Sequence, residues 1–234
     1  MSFEELKQKD QKFIANTYSR FPTDLCRGEG ATLWSESGKK YVDFGSGIAV
    51  NSFGVNDEEW KSAVIAQLNK VQHASNLYYT RPQAELAEML CSRTGAKKVF
   101  FSNSGAEANE CAIKAARKYS FDKYGEGRFR IVTLKNSFHG RTMATLSATG
   151  QEAMHRCFAP MLDGFDYADP TFEGVRAQCT KATCAVMLEL VQGEGGVRPL
   201  PVEEVQKIEK FCKKNDILLI IDEVQTGNGR TGTL

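Results

Sequence analysis

Residues 99–117 read VFFSNSGAEANECAIKAAR, passing from an apolar run through a polar turn into an amphipathic segment. Val99-Phe100-Phe101 is short and apolar, as a buried strand would be. Ser104 and Glu107 have the S-x-x-E spacing of a capping box, which predicts a helix starting there. That helix presents Ala108, Cys111, Ala112, Ala115 and Tyr119 on one side, mostly small residues that permit close approach to a sheet. Glu110 and Lys114 stand one turn apart on the opposite side, in the favourable order. Strand, turn and helix N-terminus together make an anion site, because unpaired N–H groups and the helix dipole converge there. Gly105 lets the backbone approach an anion closely and Ala106 keeps the wall low. An ordinary capped helix after a strand has the same local features, so the rest of the chain decides.

Downstream the pattern alternates. RIVTL at 130–134, FDYA at 165–168, AVMLEL at 185–190 and ILLII at 217–221 read as strands. Residues 202–214 read as a helix with Val205, Ile208, Phe211 and Cys212 inward. Apolar strands joined by helices predict an α/β fold, a mostly parallel sheet with helices on both faces. Ligands of such sheets sit at the carboxyl ends of the strands. Four polar clusters lie at those ends: 102–107, 136–141, 189–194 and 222–225.

Upstream, residues 2–18 read as an arm or short helix. Residues 27–44 read as a β-hairpin, with Thr32-Leu33-Trp34 and residues 40–44 around a Ser-Gly-Lys turn. Residues 45–54, GSGIAVNSFG, are too glycine-rich for a helix. Asp57 caps a helix running to about Val71, with Trp60, Val64, Leu68 and Val71 on its buried stripe. Thr80 and Gln83 repeat the capping spacing, with Pro82 in the first turn of a helix through Met89 and Leu90.

Composition narrows the class. The 234 residues can bury a real core, and 30 basic against 29 acidic residues imply no polyanion partner. Seven cysteines without a C-x-x-C pair fit a reducing compartment better than a disulfide framework. The three histidines lack metal-ligand spacing, so no metal site is expected. No apolar run spans a bilayer, and the early Glu4, Glu5 and Asp10 are unlike a targeting peptide, which makes a cytoplasmic protein the expectation.

At the strand ends, each residue has a bland and a functional use. Asp222 follows five apolar residues, and a half-buried carboxylate there calls for a cation or several N–H donors; a loop cap is the alternative. Arg141 suits bidentate capture of a carboxylate or phosphate, or is a surface charge. Phe138 can stack on a planar ligand or plug the core. His139 can transfer a proton or be inert, and Glu194 can meet a basic ligand or be a solvated loop charge. Residues 227–232, GNGRTG, match G-x-G-x-x-G after a strand. Five residues separate the motif from the apolar run and no helix or distant acid follows, which argues against dinucleotide binding. No G-x-x-x-x-G-K-[ST] is present.

Together the stretches RGEGATLWSESGKKYVDFGSGIAVNSFG, HASNLYYTRPQAELAEML, FFSNSGAEANECAIKAAR, SFHGRTMATLSATG, LVQGEGG and LLIIDEVQTGNGRTG resemble the class III pyridoxal-phosphate aminotransferases of fold type I. The resemblance implies that Gly105 and Ala106 offer N–H groups to the cofactor phosphate and that Phe138 stacks on its pyridine ring. It implies that Asp222 pairs with the protonated ring nitrogen, Val224 packs on the other ring face, and Gln225 hydrogen-bonds the ring hydroxyl. Arg141 would bind the substrate α-carboxylate, and Glu194 would lie near the substrate amine. The implied reaction moves an amino group from N-acetylornithine, or a related ω-amino acid, to 2-oxoglutarate, a step of arginine biosynthesis.

The implied cofactor is pyridoxal 5'-phosphate and the implied assembly of the whole protein a homodimer. In domain terms, residues 1–56 would belong to the small domain and 57–234 to the N-terminal portion of the large, cofactor-binding one. The family often has G-H-x-H-P where this chain reads Gly54-Val-Asn-Asp57. Its Schiff-base lysine lies beyond the D-E-V-Q segment, past Leu234, so the chain by itself is expected to be inactive. A truncated paralogue with a binding or dimerising role is the alternative reading.

Overall fold

A computed structural model gives the structure of the chain and describes residues 1–232. Two compact units divide it, Met1–Ala84 and Glu85–Leu234.

In the first unit, a helix spans Phe3–Phe13 behind a full capping box of Ser2 and Glu5. Three short strands follow, β1 (Arg27–Glu29), β2 (Thr32–Trp34) and β3 (Lys40–Val42), paired antiparallel in that order. The expected hairpin is therefore β2–β3, with Leu33 opposite Tyr41, extended by one strand. Ser46–Ala49 form a left-handed turn, with φ of 60° at Gly47 and 57° at Ile48, not a right-handed helix. Asp57 caps the helix Glu58–Leu68 through the Trp60 N–H at 2.8 Å. Its apolar stripe is not buried as expected. Trp60 and Leu68 are each 56% exposed and Val71 is 50% exposed, because no described element covers that side.

The second unit contains the helix Arg81–Thr94 for most of its length and the parallel sheet. The strands are β4 (Arg130–Leu134), β5 (Phe165–Ala168), β6 (Thr183–Leu188) and β9 (Leu218–Ile221), ordered β5-β4-β6-β9 and all parallel. Between β6 and β9, β7 (Val191–Gln192) and β8 (Arg198–Pro199) form a small antiparallel pair. Val132, Val186 and Leu188 pack against Val175, Ile208 and Cys212 of the helices Phe172–Gln178 and Val202–Lys214. Ile131, Ala185 and Met187 pack against Ile113 and Ala116 of the helix Gly105–Tyr124 and Ala148 of Met143–Ala148. Both faces are covered, as the strand pattern predicts.

Four expectations fail here. Val99-Phe100-Phe101 forms no strand, and Phe100 is 64% exposed. The segment has no ladder partner among the described residues, and an apolar run without one has no reason to bury itself. Of the run 217–221, residues 218–221 form the strand β9 and none of them is buried, only Ile217 just before it, because β9 is the outermost strand on its side. The Gly105 helix is also turned relative to the expected seam. It buries Asn109, Ile113, Ala116 and Ser120, while Ala115 and Tyr119 are exposed. Two of the buried four are polar and have their hydrogen bonds satisfied, Asn109 as described below and Ser120 by donating to Arg128 O at 2.6 Å. Glu110 does not pair with Lys114; it accepts from the Thr142 hydroxyl.

Candidate active site

The site forms where β4, β6 and β9 end. The chain leaving β4 turns sharply, with Asn136 at φ 62°, and is fixed on several sides. Ser137 Oγ accepts from Gly150 N at 3.0 Å, and Gln192 Nε2 donates to Lys135 O at 2.9 Å. Phe138 N donates to Glu189 Oε1 at 2.9 Å, and His139 N to Thr149 Oγ1 at 2.9 Å. Gly140 lies at φ 140°, where a Cβ would sit 3.0 Å from Ala106 Cβ. The loop thus lies directly against the start of the Gly105 helix.

That helix begins as expected, but its capping box is only half made. Ser104 Oγ accepts from Glu107 N at 3.2 Å, whereas the Glu107 carboxylate reaches back to Asn103 N at 2.5 Å. The N–H groups of Gly105 and Ala106 have no hydrogen-bond partner among the described residues, as the first turn of a helix requires. A Cβ on Gly105 would lie 2.6 Å from Val224 Cγ1, so only glycine allows this helix start and the turn after β9 to meet.

Asp222 closes the end of β9, with its backbone N–H donating to Leu188 O at 2.8 Å. Its side chain is almost wholly buried, and every contact it makes is a donor. Oδ2 accepts from Asn109 Nδ2 at 2.7 Å and lies 2.8 Å from His139 Nδ1, while Oδ1 accepts from Val224 N at 3.0 Å. Burial works to raise the pKa of this carboxyl. The bond and charge of His139, with the donors Val224 N and Asn109, outweigh that and hold it below the ordinary carboxylate range. An ionised Asp222 makes His139 Nδ1 the donor of that pair, leaving Nε2 buried without a partner among the described residues. Glu189, beside it, is shifted the other way. Burial raises its carboxyl, against the lowering effect of Phe138 N, His139 and Gly193 N.

Gly105, Ala106, Phe138, Asp222 and Val224 therefore converge on one locus. Phe138 is half-buried, with the Arg141 guanidinium 5.7 Å from its ring centroid. Arg141 is exposed and pairs with no carboxylate among the described residues. Gln225 is exposed, its stem beside Gly193, where a Cβ would lie 3.0 Å from Gln225 Cγ. Glu194 is exposed in the next turn, with no bond tying it to the others among the described residues. Sequence reasoning missed Asn109 and the role of Glu189, and it left the His139–Asp222 pair unassigned. For Asn109 the available signal was a polar residue one turn after Gly105, set among alanines.

A strand-end site of this kind, with a free helix N-terminus and a buried carboxylate, defines a class. The profile described as aminotransferase class-III matches residues 13–234, and the chain belongs to that family. Class III aminotransferases depend on pyridoxal phosphate. Among its relatives, the chain is 52% identical over 238 residues to the acetylornithine aminotransferase of Haemophilus ducreyi, covering 100% of this chain and 60% of that protein. It is 50% identical to that of Wolinella succinogenes, over 96% of this chain and 58% of that one.

Among solved structures, the N-acetylornithine aminotransferase of Stenotrophomonas maltophilia is similar at TM-score 0.80 and 35% identity, covering 97% of this chain and 56% of that one. The ornithine aminotransferase of Toxoplasma gondii matches at TM-score 0.94 and 26% identity, covering 100% and 56%. The chain thus spans about three fifths of the length of the curated relatives it matches.

The residues present fit the cofactor. Two free N–H groups suit a phosphate, and the steric closeness of Gly105 to Val224 leaves a low wall there. Asp222 Oδ1 retains an unused lone pair for a cationic nitrogen.

Proposed function

We propose that this chain carries the cofactor-holding part of an aminotransferase that takes its amino group from N-acetylornithine, or a related ω-amino acid, and delivers it to 2-oxoglutarate. The observation that carries the reading is Asp222, a buried, ionised carboxylate held by Asn109, His139 and Val224 N, whose Oδ1 has room for one more donor. When bound, pyridoxal phosphate supplies an electron sink that no amino-acid side chain offers.

Around it the chain's own residues divide the work. Gly105 and Ala106 donate their free N–H groups to the phosphate. Asp222 holds a proton on the ring nitrogen, and Phe138 and Val224 cover the two ring faces and exclude water. Gln225 hydrogen-bonds the ring hydroxyl. Arg141, uncommitted and planar, takes the substrate α-carboxylate through both nitrogens, and Glu194 faces the substrate amine. The whole protein works as a homodimer in the cytoplasm; no helix among the described residues is long and apolar enough to cross a membrane.

The test is turnover by the whole protein with a panel of donors. Acetylornithine should be used in preference to ornithine and 4-aminobutyrate, with 2-oxoglutarate as acceptor, and Asp222→Ala should abolish nearly all of it. Near-normal turnover by Asp222→Ala refutes the site. Preference for 4-aminobutyrate refutes acetylornithine as the donor, selects the related ω-amino acid instead, and leaves the site standing.

A further inference from the structure

Asn109 is 6% exposed and stands one helical turn beyond Gly105. Its Nδ2 donates in two directions, to His139 O at 2.8 Å and to Asp222 Oδ2 at 2.7 Å. One amide thus ties together the helix that starts at Gly105, the loop that carries Phe138, and the carboxylate after β9. Its effect on Asp222 follows from counting lone pairs. Oδ2 is occupied by Asn109 and His139, while Oδ1 holds only Val224 N. Without Asn109 the carboxylate keeps one donor on each oxygen, His139 on Oδ2 and Val224 N on Oδ1, and loses the contact that ties it to the Gly105 helix.

We propose that Asn109 is a positioning residue for the cofactor: its amide fixes Asp222 so that Oδ1 meets the ring nitrogen, at a set distance from the N–H groups that take the phosphate. The inference rests on the reading of Asp222 as the ring-nitrogen partner. The phosphate donors and Asn109 share one rigid helix, so its side chain sets the spacing between the two ends of the cofactor site. Asn109 touches neither end of the cofactor in this arrangement and acts through Asp222.

The experiment compares two cofactors in the whole protein: pyridoxal phosphate and its 1-deaza analogue, in which carbon replaces the ring nitrogen. Dissociation constants are measured for wild type, Asp222→Ala and Asn109→Leu, a near-isosteric change that removes both donors. Wild type should prefer the natural cofactor, Asp222→Ala should lose the preference, and Asn109→Leu should shrink it about tenfold or more. A purely structural Asn109 would weaken both cofactors alike and leave the ratio intact. If Asn109→Leu does not fold, Asn109→Ser gives the same ratio. A wild-type ratio in the Asn109 variants, with the ratio lost in Asp222→Ala, overturns the role of Asn109 alone. An unchanged ratio in Asp222→Ala overturns the underlying reading of Asp222, and this inference with it.

Discussion

Arg141 projects from the loop after β4 with its guanidinium above the Phe138 ring and no acidic partner among the described residues. A guanidinium presents parallel N–H groups that match a carboxylate, whereas an ammonium on the same stem is a point charge. Arg141→Lys should therefore keep the sign of the field and lose the fork. The expected loss is about 1.5–3 kcal/mol of donor binding, a rise in KM of roughly 10- to 100-fold, with cofactor affinity nearly unchanged. Loss of cofactor with donor KM retained would assign Arg141 to the phosphate instead.

At this same scale, Asp222 and Gly105 were legible because each breaks a local rule, a charge after five apolar residues and a glycine at a helix start. Asn109 was not legible, since pattern reading assigns polar side chains to solvent. Its burial depends on partners 30 and 113 residues away along the chain.

Among elements, the Gly105 helix is held at both ends by polar contacts: its start by the site, its end by Asp216, in the turn before β9. Asp216 accepts from the Tyr124 hydroxyl, from Lys123 Nζ at 2.9 Å and from Tyr119 OH at 3.2 Å. The Tyr124 bond first, then Lys123, lower its pKa from 3.8 to about 2. A depressed carboxyl contributes stability that is complete above its unfolded value and lost as pH falls through the folded one. The protein should accordingly lose stability between about pH 4 and pH 2 through this group, and Asp216→Asn should flatten that part of the profile. Urea midpoints across pH 5 to 2 for the two proteins check this; parallel curves would show that Asp216 contributes nothing.

The sheet explains which elements could be read in advance. β4, β5 and β6 are paired, or covered on both faces, by described residues, and their apolar runs predicted them closely. The run at 99–101 looks the same in sequence yet forms no strand. A strand exists through its ladder partner, and composition carries no record of whether a partner is present. The same limit explains why β9 forms but stays half-exposed.

For the molecule as a whole, what counts is how much apolar surface the described residues leave uncovered. In the unit Met1–Ala84 only Ser35 is buried, while Phe13, Phe21, Phe44, Phe53, Leu77 and Tyr79 are each more than 70% exposed. In the other unit, the outer edge of β9 carries unpaired N–H and C=O groups among the described residues, beside the exposed Val224. Uncovered apolar side chains and an open strand edge both favour association with other chains. No lysine among the described residues hydrogen-bonds to Asp222, Phe138, Arg141 or Gln225, and proton transfer by a positioned amine is typically worth about 10²–10⁴-fold. Residues 1–234 taken by themselves should therefore self-associate and fail to transaminate, even with pyridoxal phosphate added. Sedimentation across a concentration series should show growing assemblies, and borohydride should fix cofactor to several surface lysines at low yield. A monodisperse species that fixes one equivalent on a single lysine and turns over acetylornithine with 2-oxoglutarate would overturn this, and would mean that the open edge and exposed aromatics are covered within the chain itself.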